Sequence, residues 1–229
     1  MISALPRELR TERRRGIMAF DSGDDRYAGF PSGFFDRVDQ SPDNQFYLEP
    51  RLVAHIDERA IAAVGELYRD LKIEGKVLDL MGSWISHFLD PPDNLTVLGM
   101  NATELDSNKH AASWVEHDLN DDQRLPFDDD CFDSVVCCVS VDYLVKPLEV
   151  FDEVHRCLKR GGAFVHTFSN RCFPTKAIQG WGQTDDRGHV AIVGEYFRRS
   201  GGWGDLHAEL RTEGSGNGDP LYAVWGYKE

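Results

Sequence analysis

The clearest signal for the fold of this chain is Lys76-Val77-Leu78-Asp79-Leu80-Met81-Gly82-Ser83-Trp84. It begins as a short apolar strand that carries a single carboxylate, Asp79, and it then turns through the small residues Gly82 and Ser83. In a parallel sheet, a strand that ends in this way builds a ligand site at its C-terminal edge. The sequence therefore predicts a sheet and also the edge at which a functional site lies.

Further strand-like runs follow at the spacing of βαβ units. They cover residues 96–100, 113–117, 132–139, 163–168 and 221–227, of which 113–117 is the weakest. Apolar residues that recur every three or four positions predict helices at 53–71, 147–158 and 190–197, and a short helix is predicted at 84–89 before Pro91 and Pro92. This alternation is typical of an α/β domain with a Rossmann-like, doubly wound and mostly parallel sheet.

The length of the chain bounds its organisation. It has 229 residues, of which 41% are apolar, and this supports one full core and little more. Residues 20–50 are rich in Gly, Asp, Pro and aromatic residues without a regular period, so we expect them to lie over the domain as a lid. The predicted organisation is an N-terminal extension, 1–50, followed by one domain, 51–229.

The composition limits the classes of partner. A net charge of −14 argues against nucleic acid or an anionic membrane surface, because both repel an acidic protein at long range. A cationic or neutral small molecule fits this charge better. The five cysteines include no C-x-x-C pair, so they predict neither a zinc site nor a disulfide framework and favour a reducing compartment. No metal site is predicted.

The first residues are locally basic, with arginines at positions 7, 10, 13, 14 and 15, but Glu8 and Glu12 dilute the pattern. An organelle-targeting segment is one interpretation, and a frayed tail is the favoured one. No run is long enough to span a membrane, and the N-terminus lacks the apolar centre of a secretion signal. We therefore expect a cytoplasmic protein, and the sequence leaves its oligomeric state open.

Five groups of residues, taken in order, resemble motifs of the class I S-adenosylmethionine-dependent methyltransferases, in particular the small-molecule type 11 enzymes. They are Val77-Leu78-Asp79-Leu80, Leu98-Gly99-Met100-Asn101, His117-Asp118-Leu119-Asn120, Leu125-Pro126-Phe127 followed by Cys131-Phe132-Asp133-Ser134-Val135, and Val154-His155-Arg156-Cys157-Leu158-Lys159-Arg160-Gly161-Gly162. The resemblance covers roughly residues 50–229. It implies a seven-stranded sheet whose last strand, 221–227, is antiparallel, and it implies S-adenosylmethionine as cofactor across the C-terminal edges of the first three strands.

The resemblance also implies a set of cofactor contacts. They are Asp79, Met81, Gly82, Ser83, Met100, Asn101, Asp118, Leu119 and Ser140. Asp79 would lie at the cofactor loop, although a helix cap is its alternative role. Asp118 would accept from the adenine amino group while Leu119 packs on the ring, and the alternative for Asp118 is an ordinary surface carboxylate. Asn101 would meet the ribose, although it also stands where a helix cap is expected.

Two positions depart from the family pattern. The first motif of the family carries three glycines, and this chain has Met81, Ser83 and Ile85 there, with Gly82 as the one glycine of the turn. The loop is therefore expected to follow a different path. Asn101 stands where the family has an acid, and its amide offers a single oxygen to the two ribose hydroxyls.

Histidines supply the candidates for proton removal. His166, on the predicted strand 163–168, is the candidate base, a hydrogen-bonded core histidine is its alternative, and His87 is a weaker second candidate. Arg51 and His55 could reach the carboxylate of the cofactor, although surface positions are favoured for both. Methyl transfer can proceed by positioning alone, so a base is optional.

The candidate acceptor contacts come from two loops. Asn170, Arg171 and Lys176 follow the strand that ends next to the expected methyl group, and Tyr47 belongs to the segment that precedes the first long helix. Ordinary roles at the surface or in a turn are the alternative for the first three.

The function that this pattern favours is S-adenosylmethionine-dependent methyl transfer to a small-molecule acceptor. The alternative is a binding or regulatory protein that keeps the fold and has lost methyl transfer, and the missing glycines keep it open. A nicotinamide oxidoreductase is disfavoured because no G-x-G-x-x-G opens the helix after the first strand.

Overall fold

The structure is a computed structural model that describes residues 25–212 and 218–229. The N-terminal arginines discussed above lie outside these residues. The helices are α1 Asp43–Phe46, α2 Glu58–Asp70, α3 Ala102–Asp106, α4 Pro147–Cys157, α5 Gln179–Gly182 and α6 Asp186–Ser200. The strands are β1 Lys76–Leu80, β2 Asn94–Gly99, β3 Ser113–Glu116, β4 Phe132–Cys138, β5 Leu158–Phe168, β6 His207–Thr212 and β7 Leu221–Tyr227.

All seven of these strands form one sheet in the order β3-β2-β1-β4-β5-β7-β6. The pairs among β1 to β5 are parallel, and β7 runs antiparallel to both of its neighbours, β5 and β6. The predicted Rossmann-like sheet with an antiparallel last strand is therefore confirmed. The chain reverses strand order between β1 and β4, and ligands bind at this position in doubly wound sheets.

The two faces of the sheet carry separate parts of the core. On one face α2 contributes Ala60, Val64 and Leu67, which pack with residues of β1 and β2. On the other face α4 and α6 pack through Phe151 and Phe197 among others. Burial on both faces explains why the central strands read as continuous apolar runs in the sequence.

Two local predictions differ from the structure. Residues 84–89 form no helix, because Phe88 turns into the core against Tyr68, with ring centroids 4.8 Å apart, and the two prolines prevent a longer helix. The first long helix begins at Glu58 rather than at residue 53, since Asp57 caps it by accepting from the Ala60 amide at 2.8 Å. Residues 51–56 are thereby left outside the helix.

The segment 25–56 lies against the domain. Its aromatic residues, Tyr27, Phe30, Phe34 and Phe35, pack on the core cluster that contains α4 and α6. Arg37 forms a β-bridge with Ile178, and the main chain of Asp39 bonds to Thr175 at 2.8 Å. This segment reaches the C-terminal edge of the sheet, where it forms one wall of the site described next.

Candidate functional site

The loop after β1 crosses directly over the end of β2. The Gly82 amide donates to the Leu98 carbonyl at 2.8 Å, and Met81 adopts a positive φ of 58°. A Cβ atom added to Gly82 would lie 2.6 Å from Cγ1 of Val97, and one added to Gly99 would lie 2.2 Å from the Gly82 carbonyl oxygen. This crossing requires glycine at 82 and 99, which is why the loop keeps a tight path without the three glycines of the family motif.

A cavity opens at this edge of the sheet, beneath the segment 43–55, and is called the main cavity below. It encloses about 820 Å³, its open mouth included. Its lining consists of Asp43, Tyr47, Arg51, His55, Met81, Gly82, Ser83, Leu98, Gly99, Met100, Glu104, His117, Asp118, Leu119, Asn120, Val139, Ser140, Tyr143 and Phe173. Seven of the nine predicted cofactor contacts are among them, and their contact with a cofactor stays a prediction.

Glu104 is a buried carboxylate in the wall of the main cavity, with 7% of its surface exposed. It accepts from the Arg51 amide at 2.6 Å and from the Ser83 hydroxyl. Each carboxylate oxygen has further lone-pair capacity, so Glu104 can still accept from a ligand. The sequence indicated Glu104 only as part of a capping box, since it stands one turn after the position where the family carries its acid.

Asn101 does not line the main cavity, which differs from its predicted ribose contact. Its Oδ1 accepts from the amides of Thr103 and Glu104 at 3.0 and 3.1 Å, so it caps α3. Its Nδ2 donates to the carbonyls of Tyr47 and Leu48 at 2.8 and 3.2 Å. Both ends of the amide therefore bind protein groups, and Asn101 fastens the segment over the cavity to α3.

The loop after β3 provides the far wall of the main cavity. Asp118 lines the cavity and accepts from the Asn120 amide at 2.9 Å, while Leu119 is buried with 4% exposed. The Asn120 side chain donates to Asp43 at 2.7 Å and to the Tyr143 carbonyl at 2.9 Å, and it accepts from the Val145 amide. Asn120 thus fixes the distance between this loop and the segment that covers the cavity.

Asp79 lies below the loop 81–83 and lines a second, smaller cavity rather than the main one. Burial raises its pKa to about 7, and the hydrogen bond from the Ser86 hydroxyl at 2.5 Å opposes this rise. The second cavity is also lined by Val53, Tyr68, Trp84, Ile85, Ser86, His87 and Cys138. It shares His55, Met81, Gly82, Ser83, Val139 and Ser140 with the main cavity, so the two spaces adjoin at these residues.

Lys176 is placed differently from its predicted position at the rim of the acceptor site. It is completely buried and binds Asp43 at 3.1 Å, Asp39 at 3.2 Å and the Ser41 carbonyl at 2.7 Å. Its ammonium group therefore anchors the segment 39–43 and is not available to a ligand.

Asn170 and Arg171 also lie outside both cavities. Asn170 is exposed, and the Arg171 side chain is 59% exposed with its Nε on Asp219 at 2.5 Å. Asp219 in turn accepts from the Asp57 amide at 2.9 Å. Arg171 therefore supports the contact between the start of β7 and the start of α2, which differs from its predicted contact with the acceptor.

His166 is not placed to remove a proton from a ligand. It has no exposed surface, stacks on Phe151 with centroids 4.9 Å apart, and neither ring nitrogen has a partner among the described residues. Burial lowers its pKa to about 3. His87 lines the second cavity, and its pKa is lowered to about 4, mainly by burial.

The structure adds residues that the sequence did not indicate. Tyr143 follows β4, Phe173 belongs to the loop after β5, and Asp43 opens α1, yet all three line the main cavity. Phe173 contacts Phe46, His55 and Tyr143 through its ring. These positions carry no common motif, because they come from separate loops that only the fold brings together.

Part of the chain matches a known family model and a curated relative. Residues 84–166 match the family model described as a methyltransferase domain of type 11, and this match begins inside the divergent first motif. A curated relative, the biotin biosynthesis bifunctional protein BioHC of Teredinibacter turnerae, is 30% identical over 79 residues. These make up 34% of this chain, and the match spans only 14% of that protein.

Solved structures share the fold at low sequence identity. A possible histamine N-methyltransferase of Thermotoga maritima is 15% identical with a TM-score of 0.53, covering 75% of this chain and 91% of its own. An S-adenosylmethionine-dependent methyltransferase of Mesorhizobium loti is 15% identical with a TM-score of 0.51, covering 73% and 98%. Phosphoethanolamine N-methyltransferase 2 of Haemonchus contortus, solved with S-adenosylmethionine, is 12% identical with a TM-score of 0.51, covering 72% and 52%.

The solved structures confirm the predicted fold, and the match of residues 84–166 to a methyltransferase domain confirms the predicted resemblance. Within residues 25–212 and 218–229, no helix is long and apolar enough to cross a membrane. In the same residues, no group of three or more His, Cys, Asp or Glu side chains is arranged to hold a metal ion.

Proposed function

We propose that this chain binds S-adenosylmethionine in the main cavity and transfers its methyl group to a small-molecule acceptor. The fold of class I methyltransferases and the match of residues 84–166 to a methyltransferase domain of type 11 support this proposal. The observation that carries the proposal is the position of the cavity. It lies at the C-terminal edge where strand order reverses, and its walls include the loops after β1, β2, β3 and β4.

The residues in the cavity fit the chemical groups of this cofactor. Glu104 offers a charged acceptor for ribose hydroxyls, and Asp118 offers one for an adenine amino group. Leu119 provides a buried apolar surface for the adenine ring. Residues 81–83 line both cavities, so their backbone lies where the two cavities meet. In this assignment Glu104 takes the role that the sequence suggested for Asn101.

The acceptor side of the cavity favours a neutral or anionic compound. The Arg51 guanidinium lies over the ring of Phe46 at 4.4 Å and near those of Phe173 and Tyr47 at 5.5 and 5.6 Å. A cationic acceptor, such as the amines named for two of the matched structures, would compete with this guanidinium for the same ring faces. We therefore propose a neutral or anionic small molecule, in place of the cationic or neutral one that the net charge favours, and we also propose a cytoplasmic location and no nucleic-acid partner.

Calorimetric titration of the full chain with S-adenosylmethionine and S-adenosylhomocysteine tests the proposal. We expect dissociation constants in the micromolar range, roughly −8 kcal/mol of binding free energy. No heat with either compound at millimolar concentration would contradict the proposal. If the chain binds the cofactor but methylates no compound of a broad acceptor panel, the result would favour the alternative, a binding protein that has lost methyl transfer. The unusual loop at Met81 is the structural observation that motivates this alternative.

A further inference from the structure

His55 lies where the two cavities meet. It belongs to the stretch between α1 and α2 that covers the edge of the sheet, and it lines both the main cavity and the second cavity. Of the residues shared by the two cavities, it is the one with a side chain that can exchange a proton near neutral pH, since the others are Met81, Gly82, Ser83, Val139 and Ser140.

The imidazole ring of His55 packs against a neighbouring ring, and its nitrogen atoms form no hydrogen bond with the described residues. Its ring packs edge-on against Phe173, with centroids 5.2 Å apart and planes at 77°. Among the residues that the structure describes, none forms a hydrogen bond with its ring, in contrast to His117, whose Nε2 lies 2.8 Å from the Asp122 carbonyl oxygen. The nitrogen atoms of His55 are therefore free to bind a ligand in the cavity.

The surroundings of His55 favour its neutral form, although part of the residue is exposed. Burial lowers the pKa of His55 below its ordinary value, Arg51 lowers it further, and the carboxylate of Glu104 acts in the opposite direction. His87 is the other ring that interacts with it electrostatically, and Asp79 faces the second cavity from below the loop. A neutral imidazole can accept a proton, whereas an imidazolium cannot.

We propose that His55 is the general base of methyl transfer and removes the proton from the acceptor. The inference rests on the proposed function. The acceptor is then a compound whose nucleophilic atom bears both a lone pair and a proton, such as a hydroxyl oxygen, a thiol sulfur or the nitrogen of a neutral N–H group. The lone pair of that atom forms the new bond to the methyl carbon, the carbon–sulfur bond breaks with its electrons moving to sulfur, and the proton of the acceptor passes to a ring nitrogen of His55.

Nuclear magnetic resonance of the histidine rings tests this placement without any acceptor. The full chain is titrated with pH in complex with S-adenosylmethionine and, separately, with S-adenosylhomocysteine, and the His55→Gln protein identifies the His55 signal. The two ligands differ by a methyl group and a positive charge at sulfur. If His55 faces the reacting centre, its pKa is lower in the first complex by roughly one unit, because the nearby charge opposes protonation.

His207 provides the internal control, because it lies on the exposed edge strand β6 and does not line either cavity, so its ring signals should not differ between the two complexes. Equal pKa values for His55 in the two complexes would overturn its role as base and leave the proposed function intact. Failure of either ligand to bind would instead overturn the proposed function.

Kinetics provide a second measurement once an acceptor is found. We expect His55→Gln to lower kcat by roughly 10²–10⁴-fold while the affinity for S-adenosylhomocysteine changes little. The wild-type rate should rise with pH through the pKa of His55, and the variant should lose this dependence. An unchanged kcat in His55→Gln, or a pH profile identical to that of the wild type, would overturn the assignment.

Discussion

The ammonium group of Lys176 lies 3.1 Å from Oδ1 of Asp43, and both side chains are withdrawn from solvent. Arg37 reaches both oxygens of the same carboxylate at 2.7 Å. Burial raises the pKa of Asp43, but hydrogen bonds from Asn120, Arg37 and Lys176 outweigh it, so the pKa is lowered overall. The carboxylate therefore stays ionised and holds three separate parts of the chain around the main cavity.

Replacing Lys176 by Met should loosen the segment over the cavity. Removing one partner of a buried ion pair costs roughly 3 kcal/mol, although the remaining contacts of Asp43 reduce the loss. We expect lower stability in urea unfolding and weaker binding of S-adenosylhomocysteine. Lys159→Met is the matched control, because Lys159 pairs with Asp133 at 2.7 Å while about half exposed. Equal effects of the two substitutions would contradict the role of Lys176.

Replacing Glu104 by Gln should weaken cofactor binding. The change removes the charge that would accept from the ribose hydroxyls, and it places an amide group against the Ser83 hydroxyl or the Arg51 amide. We expect a rise of roughly tenfold in the dissociation constant of S-adenosylhomocysteine by calorimetry. Glu116→Gln, on the exposed strand β3, should leave the affinity unchanged. If Glu104→Gln binds as tightly as the wild type, the ribose is held elsewhere.

Replacing Asn101 by Asp should also weaken binding, for a different reason. A carboxylate would keep the cap of α3, but it cannot donate to the Tyr47 and Leu48 carbonyls and would face their oxygens with a negative charge. From the sequence alone, a charged acceptor at this position would be expected to tighten cofactor binding. Calorimetry decides between the two, since tighter binding would show that Asn101 contacts the ribose directly.

Replacing Asp79 by Asn should change how stability depends on pH. The raised pKa of about 7 means that the folded protein holds a proton that the unfolded chain releases near pH 4. The stability that Asp79 contributes is therefore complete below pH 4 and is lost as pH rises to about 7. In urea unfolding, the free energy of unfolding of the variant relative to the wild type should rise by roughly 1 kcal/mol per pH unit between pH 5 and 7. A constant difference would contradict this.

Replacing His166 by Leu tests whether this histidine is only a core residue. Burial lowers the pKa of His166 from 6.5 to about 3 in the folded protein. Its contribution to the free energy of unfolding is therefore complete above pH 6.5 and is lost as pH falls towards 3. The apolar variant should therefore resist acid better than the wild type, and it should bind S-adenosylhomocysteine with unchanged affinity. Loss of binding or of turnover in a folded His166→Leu protein would restore His166 as a candidate in the reaction.

Much of the fold could be predicted because its signals are local. The apolar runs that became β1, β2, β4, β5 and β7 are buried on both faces and need little context. Strand β6 was missed because its residues, His207–Thr212, are largely exposed and polar, and it is defined by its pairing with β7. The helix expected at 84–89 failed because tertiary packing of Phe88 outweighs local periodicity.

The candidate site was predictable on the sheet side and not on the side of the covering loops. The loop 81–83, Met100, Asp118, Leu119 and Ser140 follow strands directly, so the topology of the sheet brings them to one edge. Lys176 and Arg171 are cations in a loop after a strand, so the sequence predicted that they contact the acceptor. In the structure Lys176 pairs with Asp43, and Arg171 pairs with Asp219. Charge and position in the sequence do not reveal which pairs form.

The α/β class, the parallel direction of the central strands and the edge of the sheet where the main cavity lies could be read from the sequence alone. These follow from periodicity, apolar runs and turns, which are properties of neighbouring residues. Three features needed the folded chain: Glu104 rather than Asn101 lines the main cavity, Lys176 is a buried anchor, and His55 lines both cavities. The physical reason is that these roles depend on which groups distant parts of the chain bury together, and burial sets both the pairing of a side chain and its charge.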